Sequence, residues 1–154
     1  MHIINTRELN SVQKETLYTL WNAEYPVNLN YATPGDFENY LNGLVNTTHY
    51  FLMADDTIMG WSFTFDRNGE KWFGLILDTS IHQKGYGTIM LNEIKQHETN
   101  LYGWVMDHNR DVKINGQPYN SPLGFYLKNG FTTYPDIRID TEKISAVKIG
   151  WMRG

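Results

Sequence analysis

An apolar run, Leu75-Ile76-Leu77, leads through a polar stretch to Gly85-Tyr86-Gly87-Thr88 and then into a helical pattern. Where a chain turns from strand to helix over glycines, the first amides of the helix lack intrahelical partners and the helix dipole adds positive potential. The chemistry this favours is the holding of an anion such as a pyrophosphate, which glycines let approach the backbone closely. Thr88 adds a hydroxyl donor and Lys84 a nearby positive charge. The pattern is not the dinucleotide fingerprint, because Met90 stands where the third glycine belongs and the strand falls in an antiparallel meander. No Gly-Lys-Ser/Thr occurs, so it is not a Walker loop either. Taken alone, the turn is equally compatible with tight chain reversal and no ligand. His2, His49 and His97 show no metal-ligand spacing, and no metal is expected.

The elements that must position this turn follow from periodicity. A short strand is expected over 1–7, and a helix from Asn10, with Gln13 as capping-box partner, to Pro26. A second helix starts at Thr33-Pro34 with Asp36 in its first turn, and carries Phe37, Tyr40, Leu41 and Leu44 on one face. Three strands over 50–54, 58–65 and 72–77 are joined by tight turns, Asn68-Gly69 being the clearest. The run 72–77 is apolar on both faces and belongs in a sheet centre covered on both sides. A helix after Thr88, a strand over 101–106, a polar loop, a short helix over 122–128 and strands over 131–140 and 145–152 complete one domain of 154 residues. The fold class is α/β (α+β): a mixed, mostly antiparallel sheet of about seven strands flanked by about four helices.

Composition bounds the partners. With 19% charged residues and a net charge of -4, the chain is neither a disordered tail nor a basic nucleic-acid binder. No apolar segment approaches bilayer-spanning length, so no membrane partner is expected. The first residues do not pattern as a signal peptide, and a cytoplasmic location is the expectation. The absence of cysteine excludes disulfides, thiolate metal sites and a cysteine nucleophile. Association into a homodimer is compatible with the sequence.

The stretch Leu123-Gly124-Phe125-Tyr126-Leu127-Lys128-Asn129-Gly130-Phe131 adds a second motif to the glycine turn. In order and spacing the two resemble the GNAT superfamily of acyl-CoA-dependent N-acyltransferases. That family pairs a strand, a Gln/Arg-x-x-Gly-x-Gly/Ala turn and a helix with a later aromatic-Tyr-x-x-x-Gly-Phe element. His82 stands where the family usually has Gln or Arg, leaving Gln83 or the backbone amides to carry that contact. Tyr119 stands where an Asn is common, with Asn120 one step on.

The resemblance implies acetyl-CoA as cofactor and acetyl transfer to a primary amine of a small molecule or peptide. Without cysteine, that transfer is direct. It places the pantetheine arm along Leu75, Ile76 and Leu77, with the Leu77 N–H polarising the thioester oxygen. It also implies pyrophosphate on His82, Gln83, Lys84, Gly85, Tyr86, Gly87 and Thr88, with a coenzyme contact from Asn120. Tyr126 becomes the proton donor to the departing thiolate. For the base, Asp107-His108 follows the strand over 101–106, with Glu24 and Asp78 as rivals and a water relay as a further route. Trp21, Tyr25, Tyr31, Trp72 and Trp104 are the candidates for the acceptor wall, suited to a small cationic amine. The loop over 109–120 is either a substrate flap or a solvated excursion. A catalytically silent acyl-CoA-binding module is the alternative from another functional class.

Overall fold

Helix starts follow the capping chemistry of the sequence. In the computed structural model, which describes all 154 residues, strand β1 (His2–Thr6) leads to helix α1 (Ser11–Glu24). The Asn10 side chain accepts from the Gln13 N–H at 2.8 Å and the Gln13 side chain accepts from the Asn10 N–H at 2.9 Å, a reciprocal capping box. A 3₁₀ turn, Val27–Leu29, follows Pro26. Helix α2 (Pro34–Asn42) is capped by Thr33, whose hydroxyl accepts from the Asp36 N–H at 3.1 Å.

Strands β2 (Val45–Ala54), β3 (Thr57–Arg67) and β4 (Glu70–Leu77) form the expected antiparallel meander. Helix α3 (Tyr86–His97), strand β5 (Asn100–Val105), helix α4 (Leu123–Lys128) and strands β6 (Thr132–Asp140) and β7 (Ser145–Met152) complete the chain. The seven strands lie in the order β1-β2-β3-β4-β5-β7-β6, and the doubly apolar β4 takes the middle place.

Alternation along the strands builds two cores. Trp72 and Ile76 of β4 pack with Trp61, Phe63, Leu17 and Phe37 under α1 and α2. Phe73 packs on the opposite face with Met90, Leu91, Ile94 and Tyr126 under α3 and α4. β2 begins five residues earlier than its apolar run, at Val45 rather than Tyr50. The register shifts between Val45 and Thr48, and Asn46 takes a positive φ of 55°. A bulge of this kind breaks the alternation that marks a strand in sequence. Here its polar residues are paired locally: Asn46 donates to Asp66 at 3.0 Å and accepts from Arg7 at 2.7 Å.

Candidate active site

The only parallel neighbours in the sheet are β4 and β5, and they pair at a single register, Trp72 with Tyr102. Beyond it the strands part, and Phe73 to Leu77 on one side and Gly103 to Met106 on the other line a cavity of ≈ 720 Å³. The Asp78 N–H donates to the Met59 carbonyl at 2.9 Å. Antiparallel pairs alternate between bonded and non-bonded, so Asp78, Ile76 and Gly74 bond β3 while Leu77, Leu75 and Phe73 turn their amides and carbonyls the other way, towards the opening. The Leu77 carbonyl confirms the direction, because His82 Nε2 lies 2.8 Å from it.

One end of the cavity is the glycine turn. Helix α3 has no side-chain cap, unlike α1 and α2, and its first intrahelical bond runs from the Ile89 N–H to the Gly85 carbonyl. Gln83 and Gly85 have φ values of 60° and 86°, left-handed conformations that set neighbouring amides around a concavity. Nothing lies within 4 Å of where a Gly85 Cβ would stand. Uncapped amides above open space fit a pyrophosphate. Gln83, Gly85, Gly87 and Thr88 line this end; Lys84 and Tyr86 do not. His82 lines it too, but its Nε2 is spent on the Leu77 carbonyl and lies 3.7 Å from Glu24. It braces the strand end as well as facing the cavity.

Tyr126 lies at the crossing. Its ring is wedged against Phe73, Phe125 and Phe131 with centroids 5.7, 5.1 and 5.4 Å away. Burial, reinforced by Tyr119, pushes its phenol well above the ordinary tyrosine range. Tyr25 and Tyr119 line the same cavity with ring centroids 6.5 Å apart, and both phenols are raised, chiefly by burial.

All five aromatic residues expected on the acceptor wall, Trp21, Tyr25, Tyr31, Trp72 and Trp104, line the cavity and pack with the core under α1 and α2. Trp21 is fixed by donating from Nε1 to the Leu29 carbonyl at 2.9 Å. Arg67, which carried no signal in sequence, lines this wall as well.

Glu24 is the one acidic residue in the lining, and it is buried. Its carboxylate accepts from the Thr79 N–H at 2.9 Å, the Thr79 hydroxyl at 2.8 Å and Lys113 Nζ at 3.0 Å. Lys113 belongs to the polar loop, which is an ordered hairpin: Tyr119 N–H donates to the Asp111 carbonyl and Lys113 N–H to the Gln117 carbonyl, each at 2.9 Å. Val27 N–H donates to the Val112 carbonyl at 2.8 Å, docking the hairpin on α1's end. Lys113, Pro118, Tyr119 and Asn120 roof the cavity.

Asp107, His108 and Asp78 do not reach the lining. Asp107 is held by Arg138 at 2.7 and 3.2 Å, which keeps its carboxyl below the ordinary range. His108 Nδ1 accepts from the Arg110 N–H at 3.1 Å and stays in the loop's own packing. Asp78 is occupied in capping the 3₁₀ turn Thr79–Ile81 that follows β4, through Ser80 at 2.9 and 2.6 Å. Neither Asp107 nor His108 touches the cavity; strand-end position alone does not say which way a side chain faces.

No family model and no curated protein sequence matches this chain. Solved structures are similar in shape along almost the whole chain. An aminoglycoside 6'-N-acetyltransferase complexed with coenzyme A has a TM-score of 0.72 at 15% identity, over 99% of this chain and 97% of that one. The aminoglycoside 6'-N-acetyltransferase from Enterococcus faecium gives 0.70 at 15% identity over the same shares, 99% and 97%. An acyl-CoA N-acyltransferase from Pseudomonas aeruginosa gives 0.71 at 13%, over 97% of this chain and 98% of that one. At such identities the likeness is one of fold. Seven strands parting between β4 and β5, with an uncapped helix after the parting strand, give this chain the fold of the GNAT superfamily, the acyl-CoA N-acyltransferases.

Proposed function

We propose that the chain is an acetyl-CoA-dependent N-acetyltransferase that passes the acetyl group directly to a primary amine of a small molecule or peptide. The observation that carries this reading is the cavity that crosses the sheet at the β4/β5 opening. It joins the uncapped turn of α3 on one face to an aromatic compartment on the other. Two reactants entering from opposite faces meet beside the amides of Leu75 and Leu77 and the phenol of Tyr126.

The coenzyme, when bound, supplies an activated acetyl thioester. The amides of Gln83 to Thr88 hold its pyrophosphate at the positive end of the helix dipole. The outward amides of Leu75 and Leu77 pair with the pantetheine arm as an added strand would, and the Leu77 N–H donates to the carbonyl oxygen as negative charge grows there. Tyr126 would give its proton to the sulfur as the C–S bond breaks, and would recover one from the water that takes up the amine's proton. Glu24 is committed to Lys113 and Thr79, so the amine's proton leaves through water in the cavity, and alignment of the reactants supplies much of the rate.

The test is thiol release from acetyl-CoA over a panel of amines, alongside thermal stabilisation by coenzyme A. Release with at least one amine supports transfer. Stabilisation with no release across the panel moves the chain to a silent acyl-CoA-binding module, and the absence of both overturns the reading.

A further inference from the structure

The acceptor wall ends in an arginine that has no partner. Arg67, the last residue of β3, lays its guanidinium over the rings of Phe65 and Trp72, 5.0 and 5.3 Å from their centroids. The carboxylates nearest to it in the sheet are engaged elsewhere. Glu70, its cross-strand neighbour, accepts from Lys148 Nζ at 2.9 and 3.1 Å. Asp66 is paired with Lys71 at 2.7 Å and accepts from Asn46 at 3.0 Å. Glu24 is taken by Lys113 and Thr79. Arg67 itself is exposed, whereas the indole N–H of Trp72, whose ring it covers, is buried with no acceptor.

A guanidinium stacked on aromatic faces keeps its N–H donors at the rim of its plane, where a carboxylate takes two in parallel. The stacking holds that fork in place, so little freedom is lost when the anion arrives. A polycation, by contrast, finds Arg67 and Lys113 in this cavity and no free carboxylate. That removes the charge basis for the small cationic amine expected from composition.

Resting on the acyl-transfer reading of the same site, we propose that the acceptor is an amine joined through an apolar or aromatic body to a carboxylate, and that Arg67 is the specificity-determining residue that binds the carboxylate. Trp72 lies three to five residues along β4 from Leu75 and Leu77. At a strand rise of ~3.3 Å per residue the amine and the carboxylate stand roughly 10–16 Å apart.

An extended tripeptide spans about 10 Å, so Gly-Gly-Phe and its C-terminal amide are suitable paired probes. With acetyl-CoA, the acid is expected to exceed the amide in kcat/KM by about tenfold or more, the worth of a charge-assisted bond. Arg67→Ala brings the ratio close to one, mainly through the KM of the acid, and Arg67→Lys restores part of it. Equal use of acid and amide by the wild type, preference for a polyamine, or an unchanged ratio in Arg67→Ala overturns the proposal. A second measurement separates it from the transfer reading. Binding of N-acetyl-Gly-Gly-Phe and its amide to the protein with coenzyme A is read by calorimetry, without turnover. Tighter binding of the acid, lost in Arg67→Ala, supports the anion site even where no thiol is released. Equal binding sinks it even where transfer is fast.

Discussion

Tyr126 combines two demands that pull apart in water. A phenol able to protonate a thiolate must be near it in acidity, and a thiol of the cysteine type titrates near ~8.5 against ~10 for tyrosine. Burial and the neighbouring Tyr119 push the phenol further up. The same dry surroundings penalise the thiolate, so the hydrogen bond that stabilises it gains strength where it forms. On this reading Tyr126→Phe lowers kcat by roughly 10²–10⁴-fold, the range for a general acid, with coenzyme affinity by calorimetry little changed. Because the phenol is raised, wild-type kcat should show no alkaline limb from Tyr126 up to about pH 10. Undiminished turnover in the variant, with chemistry shown to limit the rate, removes this role. Tyr126 was marked out by the family resemblance that its motif carries. Arg67 was not, because a lone charge at a strand end gives no sign of whether a partner meets it.

At the scale of elements, the opening in the sheet depends on close packing behind it. A Cβ on Gly74 would stand 2.5 Å from two ring carbons of Phe63, which stacks on Trp61 at 4.3 Å and on Phe65 at 5.8 Å and has no room to yield. Gly74→Ala therefore costs about 1–3 kcal/mol of stability in denaturant titration, as overpacking does, despite the strand's preference for a side chain. An unchanged midpoint would show that Phe63 is free to move. The hairpin roof is fastened differently. Lys113 reaches Glu24 across 89 residues of sequence. Lys113→Ala loosens that fastening, and amide exchange at Val27, which donates to the hairpin, and at Tyr119, which donates within it, should quicken while exchange in β4 stays slow. Uniform protection in the variant would show that the backbone bonds hold the roof without the ion pair. Length alone had left this loop open between flap and excursion, since sequence shows neither the docking at Val27 nor the buried carboxylate.

The whole molecule records its packing in one histidine. His49 is buried and accepts from the Trp61 indole N–H at 3.1 Å, and burial lowers its pKa from 6.5 to about 4. The unfolded chain therefore takes up this proton first as the pH falls. Stability from this residue is complete above about pH 6.5 and is lost progressively down to about pH 4, by about 3 kcal/mol in all. His49→Gln keeps an acceptor for Trp61 and does not titrate, so its stability should vary less over that window; parallel curves would refute the assignment. Elements with strong local causes were readable from the sequence: the caps at Asn10 and Thr33, the meander, the doubly apolar β4, and the uncapped glycine turn. The family resemblance, rather than any local cause, placed Tyr126 and the five aromatic wall residues among the candidates. Tertiary structure alone decided that β4 and β5 part after one pair and that Glu24 is consumed by Lys113. It decided too that Asp107 faces Arg138 and that Arg67 is left unpaired over Phe65 and Trp72. The physical reason is range: caps and periodicity act within a few residues, whereas the pairing of charges and the parting of strands depend on groups that meet only when distant segments fold together.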